Sequence, residues 1–442
     1  MKKLHGSLAL IVATAFSGHA FAQTTPAPAA TVAPAAPAAE ATPPATAAAT
    51  VEAPAAPPPV DAAPAVEATP TPAPVEAAPA VVEPAAEAAP PPPPAKLSVG
   101  KDATGFFQPG FVVQFWTTYE HQDLIKDQLA FRIKRAEVTF KGDIIPSKVS
   151  YKIMFDPSKL LTLSATPPGT DATTGAVTAP TVTQNGASAM LQDVNLTYSS
   201  DYVDTTLGQF KVPVSIDSLT PSNKLLFHDR ADIVTGSTSF RAPSAFPTGA
   251  YGERRDLGVK FDKKLGDYFY YNVSLFNGTG QNAAELPFDT EKDGALRLEV
   301  YPISGLTIAG AGLTTLGKRN HQARDRISAA VRYEGNGLSA TGEYITGWDT
   351  GAAGGKGLNG AGWYVMGGYQ IGNLQPIVRV GQVDPNTDSA VKKDSWMKYE
   401  AGVNYYVQAQ EVRFSVVGQM TQFENSDIKP ILGAVGAAQL SF

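Results

Sequence analysis

Lys224, His228, Asp229 and Arg230 surround an apolar triplet, Leu225, Leu226 and Phe227, inside the stretch Val212 to Arg254. His228 beside Asp229 is a pairing that could move a proton, but no Gly-x-Ser-x-Gly elbow or candidate nucleophile accompanies it. Of the five histidines, His5 and His19 lie in an N-terminal leader, and His121, His228 and His321 have no metal-ligand spacing between them. Cysteine is absent, which removes thiolate metal sites, disulfides and an N-terminal lipid anchor. The paired glycines 278/280 and 310/312 have no helix after them and are not phosphate loops. The reading is therefore not an enzyme and needs no cofactor. What remains for the guanidinium and ammonium groups is electrostatics: lining a narrow aqueous path, they favour anions because fixed charge replaces lost hydration.

A long gap between strand-like runs is either functional or disordered. Exposure would waste the apolar triplet on solvent, so the Val212–Arg254 loop is expected to fold into the interior of whatever the remaining chain encloses. It brings Lys224, Arg230 and Arg241 against Asp217, Asp229 and Asp232.

The enclosure is legible in the flanking sequence. Residues 1–22 carry Lys2 and Lys3, an apolar run from Leu8 to Phe16, and Ala20-Phe21-Ala22 before Gln23, which is an export signal with a cleavage site. Residues 23–96 are almost wholly Ala, Pro, Thr, Val and Glu, with seven acidic residues and no Lys or Arg before Lys96. Such a composition cannot build a core and is expected to be disordered, extended and polyproline-like in the periplasm, as a spacer or a contact to the cell wall. A formal net charge of −6 speaks against nucleic acid as a partner. No later run approaches the length of a spanning helix, so any membrane role falls to strands.

From residue 97 to residue 442 the texture changes to period-two runs rich in Val, Tyr, Phe, Ile and Thr, and sixteen can be placed between 111–119 and 430–442. Short connections such as Gly142–Lys148, Lys264–Asp267 and Gly372–Asn373 alternate with long ones such as Pro157–Ala189, Val212–Arg254 and Gly278–Asp293. Turns on one side and loops on the other predict an all-β, 16-stranded antiparallel transmembrane β-barrel with its long third loop folded inward. Within the runs, Met397, Tyr399, Ala401, Val403 and Tyr405 oppose Lys398, Glu400, Gly402 and Asn404. The charged set must face a wet lumen, since Arg or Lys costs ~2–4 kcal/mol on the lipid face at mid-bilayer. The pattern changes phase at Lys134–Arg135, predicting a bulge. Trp116, Tyr119, Trp348, Trp363 and Trp396 fall at strand ends and are expected in interfacial girdles. Inward positions include Arg135, Lys141, Lys152, Lys260, Arg297, Arg332, Arg379, Lys398 and Arg413, against Glu137, Asp156, Asp193, Asp262, Glu299, Glu343 and Glu400.

Four segments then resemble one family: FRIKRAEVTFKGDI at Phe131–Ile144, LGQFKVPVSID at Leu207–Asp217, TPSNKLLFHDRAD at Thr220–Asp232 and GERRDLGVKF at Gly252–Phe261. Together they are similar to the phosphate-selective porin O/P family. The resemblance implies a trimeric outer-membrane porin whose third loop narrows the pore and whose arginines and lysines hold anions there. By position, Arg132 and Arg135 match the family's second-strand arginines and Arg230 its loop arginine; Glu137 stands where basic residues are common. The resulting expectation is passive diffusion of small hydrophilic solutes with a preference for anions such as phosphate. Its constriction contacts are Arg132, Arg135, Lys152, Lys224, Arg230, Arg241, Arg297, Arg332, Arg379 and Arg413. The expected partners are outer-membrane lipid, small solutes or anions, and two further copies in a homotrimer. Two rivals stay open: an envelope tether built on the 23–96 segment, and a pore for sugars or organic acids.

Overall fold

The computed structural model describes residues 97–99, 105–123, 125–161, 163–166, 181–184, 187–235, 255–282, 292–316, 324–349, 358–387 and 393–442. The leader, the 23–96 segment, Arg241 and His321 lie outside them.

Period-two alternation needs a two-faced wall, and the chain supplies it with one sheet closed on itself. Its strands are β1 (Gly105–Gln122), β2 (Ile125–Ile145), β3 (Val149–Phe155), β4 (Leu191–Ser199), β5 (Asp204–Lys211), β6 (Arg255–Leu265), β7 (Phe269–Phe276) and β8 (Lys292–Val300). The second half runs β9 (Leu306–Leu316), β10 (Arg324–Gly335), β11 (Leu338–Asp349), β12 (Leu358–Tyr369), β13 (Leu374–Asp384), β14 (Trp396–Gln408), β15 (Val412–Phe423) and β16 (Ile431–Ser441). Each pairs antiparallel with the next, and β16 returns to β1 in a register from Leu432 opposite His121 to Ser441 opposite Val112. Closure leaves no unpaired sheet edge, which a spanning sheet requires. Beside this ring, Leu97–Val99 pairs with Gly105–Phe107 of β1, and a small hairpin, Leu163–Thr166 with Thr181–Gln184, decorates the loop after β3.

Turn chemistry fixes the short end. Asn336 and Gly337 take φ of 51° and 77° between β10 and β11, as a two-residue hairpin of the type that follows the strand twist requires. At Gly305, φ is 80° and an added Cβ would lie 2.3 Å from the Glu334 carbonyl oxygen, so no side chain fits that turn.

Alternation holds along the wall. On β14, Lys398, Glu400, Asn404 and Tyr406 are buried on the inner face, while Tyr399, Val403 and Tyr405 are exposed on the outer. The phase change at Lys134 is a bulge: Gln114 faces Arg135 and Phe115 faces Ile133, leaving Lys134 as the extra residue. Arg132, Lys134 and Arg135 thereby all reach the inner side, three cations within four positions, where strict alternation allows two.

Two expected girdle residues are not in a girdle. Trp116 and Trp396 are 2% and 1% exposed and point inward, whereas Tyr119 and Trp348 lie on the outer face at 41% each. Position along a strand sets height in the wall, but parity sets the face. Trp116 shares parity with Gln114 and Thr118, and Trp396 shares it with Lys398.

Candidate functional site

The described part of the third loop, Val212–Thr235, is a tongue with two arms. Its first arm leaves β5 and lays Val212 and Val214 with Phe210 against Phe276, Ala295 and Leu313 on the inner faces of β7, β8 and β9. Ile216 continues onto Ala309 and Ala330. One turn of helix, Ile216–Leu219, then starts at Ser215. Its N-terminus is held by a wall carboxylate: Glu343 accepts the Ser215 hydroxyl at 2.7 Å, the Ile216 N–H at 2.9 Å and the Tyr364 hydroxyl at 2.9 Å. A negative group at a helix N-terminus meets donors that lack intrahelical partners.

The tip crosses the barrel. Arg332 on β10 donates to the Thr220 hydroxyl at 2.7 Å, and two residues later the Ser222 hydroxyl donates to Glu137 on β2 at 2.6 Å. In a closed ring of sixteen, β2 and β10 stand opposite one another. The second arm returns along β16 to β12. Gln439 donates to the Asn223 carbonyl, Arg413 to that of Leu225 and Asn404 to that of Leu226. Phe227, Ala231, Ile233 and Val234 bury themselves against Ile345, Tyr364, Met366, Ile377, Val383, Trp396 and Val417. These inward apolar positions form the socket that spares Leu226 and Phe227 from water.

Arg230 stitches the arms together. It is 1% exposed, and its guanidinium donates to the carbonyls of Asp217 (3.0 Å), Ser218 (3.3 Å) and Thr220 (2.7 Å), while the Asp217 carboxylate accepts the Ala231 N–H at 3.0 Å. Arg230→Ala is expected to part the arms and give noisy, subconductance-rich single-channel traces, with barrel content by circular dichroism unchanged.

Charge concentrates where the tongue meets β1, β2 and β13–β15. The Asp229 carboxylate accepts Lys134 at 2.6 Å and Arg135 at 2.8 Å, and its carbonyl accepts Arg379 at 2.8 Å. Burial alone would raise this carboxyl, yet the Lys134 and Arg135 charges hold it well below the usual carboxylate range. Trp116 lies edge-on to His228 at 4.7 Å, with Arg132 at 4.7 Å and Lys134 at 4.6 Å from its ring centroid. Lys398 pairs with Asp232 at 3.0 Å, Arg379 pairs with Glu400, and Arg379 stacks over Phe227 at 4.4 Å.

Burial pushes the His228 imidazole down to about 3, so it is neutral in the folded tongue at neutral pH. An unfolded histidine protonates near 6.5. The stability that neutral His228 contributes is therefore whole above pH ~6.5 and lost progressively as pH falls toward 3. Tongue-opening noise should rise between pH 6 and 4 in the native channel and be blunted in His228→Gln.

The sequence-selected cations divide into distinct settings. Arg135, Arg230, Arg297, Arg379 and Arg413 are buried at 6% exposure or less. Arg135, Arg297 and Arg379 are ion-paired there, Arg297 with Glu299 at 2.6 Å. Arg132 and Arg332 are partly exposed, Lys152 pairs with Asp193 at 2.5 Å, and Lys224 is exposed at the tongue's tip. Arg132 and Arg135 come together with Lys134 around Trp116 and Asp229; Lys152 and Arg297 lie elsewhere on the wall. Sequence reading missed Trp116, Lys134 and Glu343 as parts of this site. The Lys134 bulge was the available signal for one of them.

Residues 113–286 match the family described as phosphate-selective porin O and P. No curated protein matches. Among solved structures, an anion-selective porin from Comamonas acidovorans is similar at 9% identity over 76% of this chain and 100% of that one, with a TM-score of 0.52. OmpF of Salmonella typhi in complex with daunomycin shares 10% identity over 79% and 100%, TM-score 0.51. The outer membrane channel DcaP of Acinetobacter baumannii shares 13% over 78% and 100%, TM-score 0.50. At such identities the likeness is one of fold.

Proposed function

We propose that the chain is an outer-membrane porin of the phosphate-selective O and P family, whose model its residues 113–286 match, and that as a channel for small solutes it passes small anions in preference to cations. The path runs along the β2–β6 wall, past a tongue whose first arm lies on β7–β10 and whose second lies on β11–β16. Arg132, Lys134, Lys152, Lys224, Lys260 and Arg332 are the cations that meet the passing ion. Arg135, Arg230, Arg379 and Arg413 hold the constriction in shape. The same family reading makes the assembly a homotrimer.

One observation carries the preference. In three lysine–carboxylate pairs on β2, β3 and β6 the lysine is the wetter partner, Lys134 at 26% against Asp229 at 1%, Lys152 at 42% against Asp193 at 5% and Lys260 at 24% against Asp262 at 15%, while Lys263 and Asp204 run the other way at 22% and 29%. A solute therefore meets ammonium before carboxylate, although the wall's formal charge is nearly balanced. Lys224 adds an exposed cation that forms no ion pair among the described residues.

Reversal potentials in a potassium chloride gradient test this. The native channel should favour chloride, most strongly at low salt, because the Debye length shrinks from ~10 Å at 0.1 M to ~3 Å at 1 M. Lys152→Gln combined with Lys224→Glu should move the potential toward the cation-selective side. A native channel that favours potassium contradicts the proposal.

A further inference from the structure

We infer that the turn end of the lumen holds a separate site for planar aromatic carboxylates. The inference rests on the chain being an open pore. An open cavity of about 580 Å³ lies where the β6–β7, β8–β9 and β10–β11 turns meet, lined by Lys264, Asp267, Tyr268, Tyr301, Arg332 and Glu334 among others. Its size is within the range of small-molecule sites.

The lining is chemically specific. Lys264 follows Lys260 and Asp262 in inward parity, is exposed, and holds its ammonium 4.8 Å from the Tyr301 ring centroid. It forms no salt bridge among the described residues. Tyr301 is fixed at both ends, its hydroxyl donating to Glu299 at 2.5 Å and its N–H to the Tyr268 carbonyl at 2.9 Å. Tyr268 itself is 71% exposed, leaving a free ring face at the rim. Arg332 supplies a second cation and reaches the tongue at Thr220. Asp267 and Glu334 balance Lys264 and Arg332 in formal charge, so the pull on a carboxylate is local to the Lys264 ammonium, and two tyrosines give the cavity ring surface.

An inorganic anion would use only the charge there. A flat ring bearing a carboxylate uses both, stacking offset on tyrosine while its charge meets Lys264. A saturated ring of the same size and charge loses the stacking. The site thus separates aromatic from aliphatic carboxylates, which a simple basic constriction does not.

The test is single-channel recording of the full chain in a planar bilayer in chloride, with benzoate, cyclohexanecarboxylate or acetate added to the turn side. Benzoate should produce brief current interruptions at concentrations roughly fivefold lower than cyclohexanecarboxylate, given the worth of an aromatic contact. Lys264→Gln and Tyr268→Ser, each tested alone, should each weaken benzoate about tenfold while chloride conductance stays as in the native channel. Equal interruption by cyclohexanecarboxylate, or benzoate block indifferent to both substitutions, overturns the site. A native channel that conducts chloride without benzoate interruption also overturns the site alone. One that conducts nothing overturns the pore reading together with it.

Discussion

Asp229→Ala is expected to release the tongue from β2 and raise single-channel conductance, with open and closed levels exchanging in place of one steady current. The carboxylate is 1% exposed and neutralises Lys134 and Arg135 together. Removing one member of a buried charge pair costs ~3–5 kcal/mol, because the remaining charge stays desolvated and unpaired. At 1.4 kcal/mol per factor of ten, that moves the docked-to-free ratio by roughly a hundredfold or more. Sixteen strands paired all round do not depend on this contact, so strand content by circular dichroism should be native. Asp229→Asn keeps the shape and one acceptor and should fall between the two. A conductance in Asp229→Ala equal to native would mean that the ion pair does not hold the tongue.

Glu343→Ala acts at the other end of the same element and should be nearly as severe. Three donors, from Ser215, Ile216 and Tyr364, lose their common acceptor at a position 3% exposed. Each buried donor left unmade costs ~1–3 kcal/mol. The helical turn Ile216–Leu219 should then fray, and hydrogen exchange across Val214–Thr220 should accelerate by one to two orders of magnitude, roughly 1.4 kcal/mol for each. Exchange on β14 and β15 stays slow. Unchanged exchange in the first arm would remove Glu343 from its anchoring role.

These two substitutions lie on opposite sides of what sequence alone discloses. Asp229 stood out because it neighbours His228 and Arg230 in a stretch with no strand pattern. Glu343 looked like one more inward charge on β11, since nothing local ties it to Ser215, which is 128 positions away in the chain. Strand placement was legible because period two is a local property: the run near 255–263 is β6 at Arg255–Leu265, and the run near 374–383 is β13 at Leu374–Asp384. The Lys134 bulge was legible for the same reason, as a break in that period.

Parity separates two faces but does not say that an inner face is uniformly wet. Ile345, Met366, Ile377 and Val417 are inward and apolar because the tongue covers them. Their signal is the triplet Leu225–Phe227, far off in the chain. Trp116 was assigned from strand-end position alone, and its partners Arg132, Lys134 and His228 come from two other elements.

The crossing of the lumen between β10 and β2 is the claim on which the path and the constriction both depend. Because the native chain has no cysteine, Ser222→Cys with Glu137→Cys creates a single pair of thiols for a short bis-alkylating reagent in intact outer membranes. The expected result is efficient bridging at the native conductance, with no bridging when Glu137→Cys is replaced by a cysteine substitution at Thr307 on β9. Failure of the 222–137 pair to bridge, or equal bridging to position 307, would contradict the crossing.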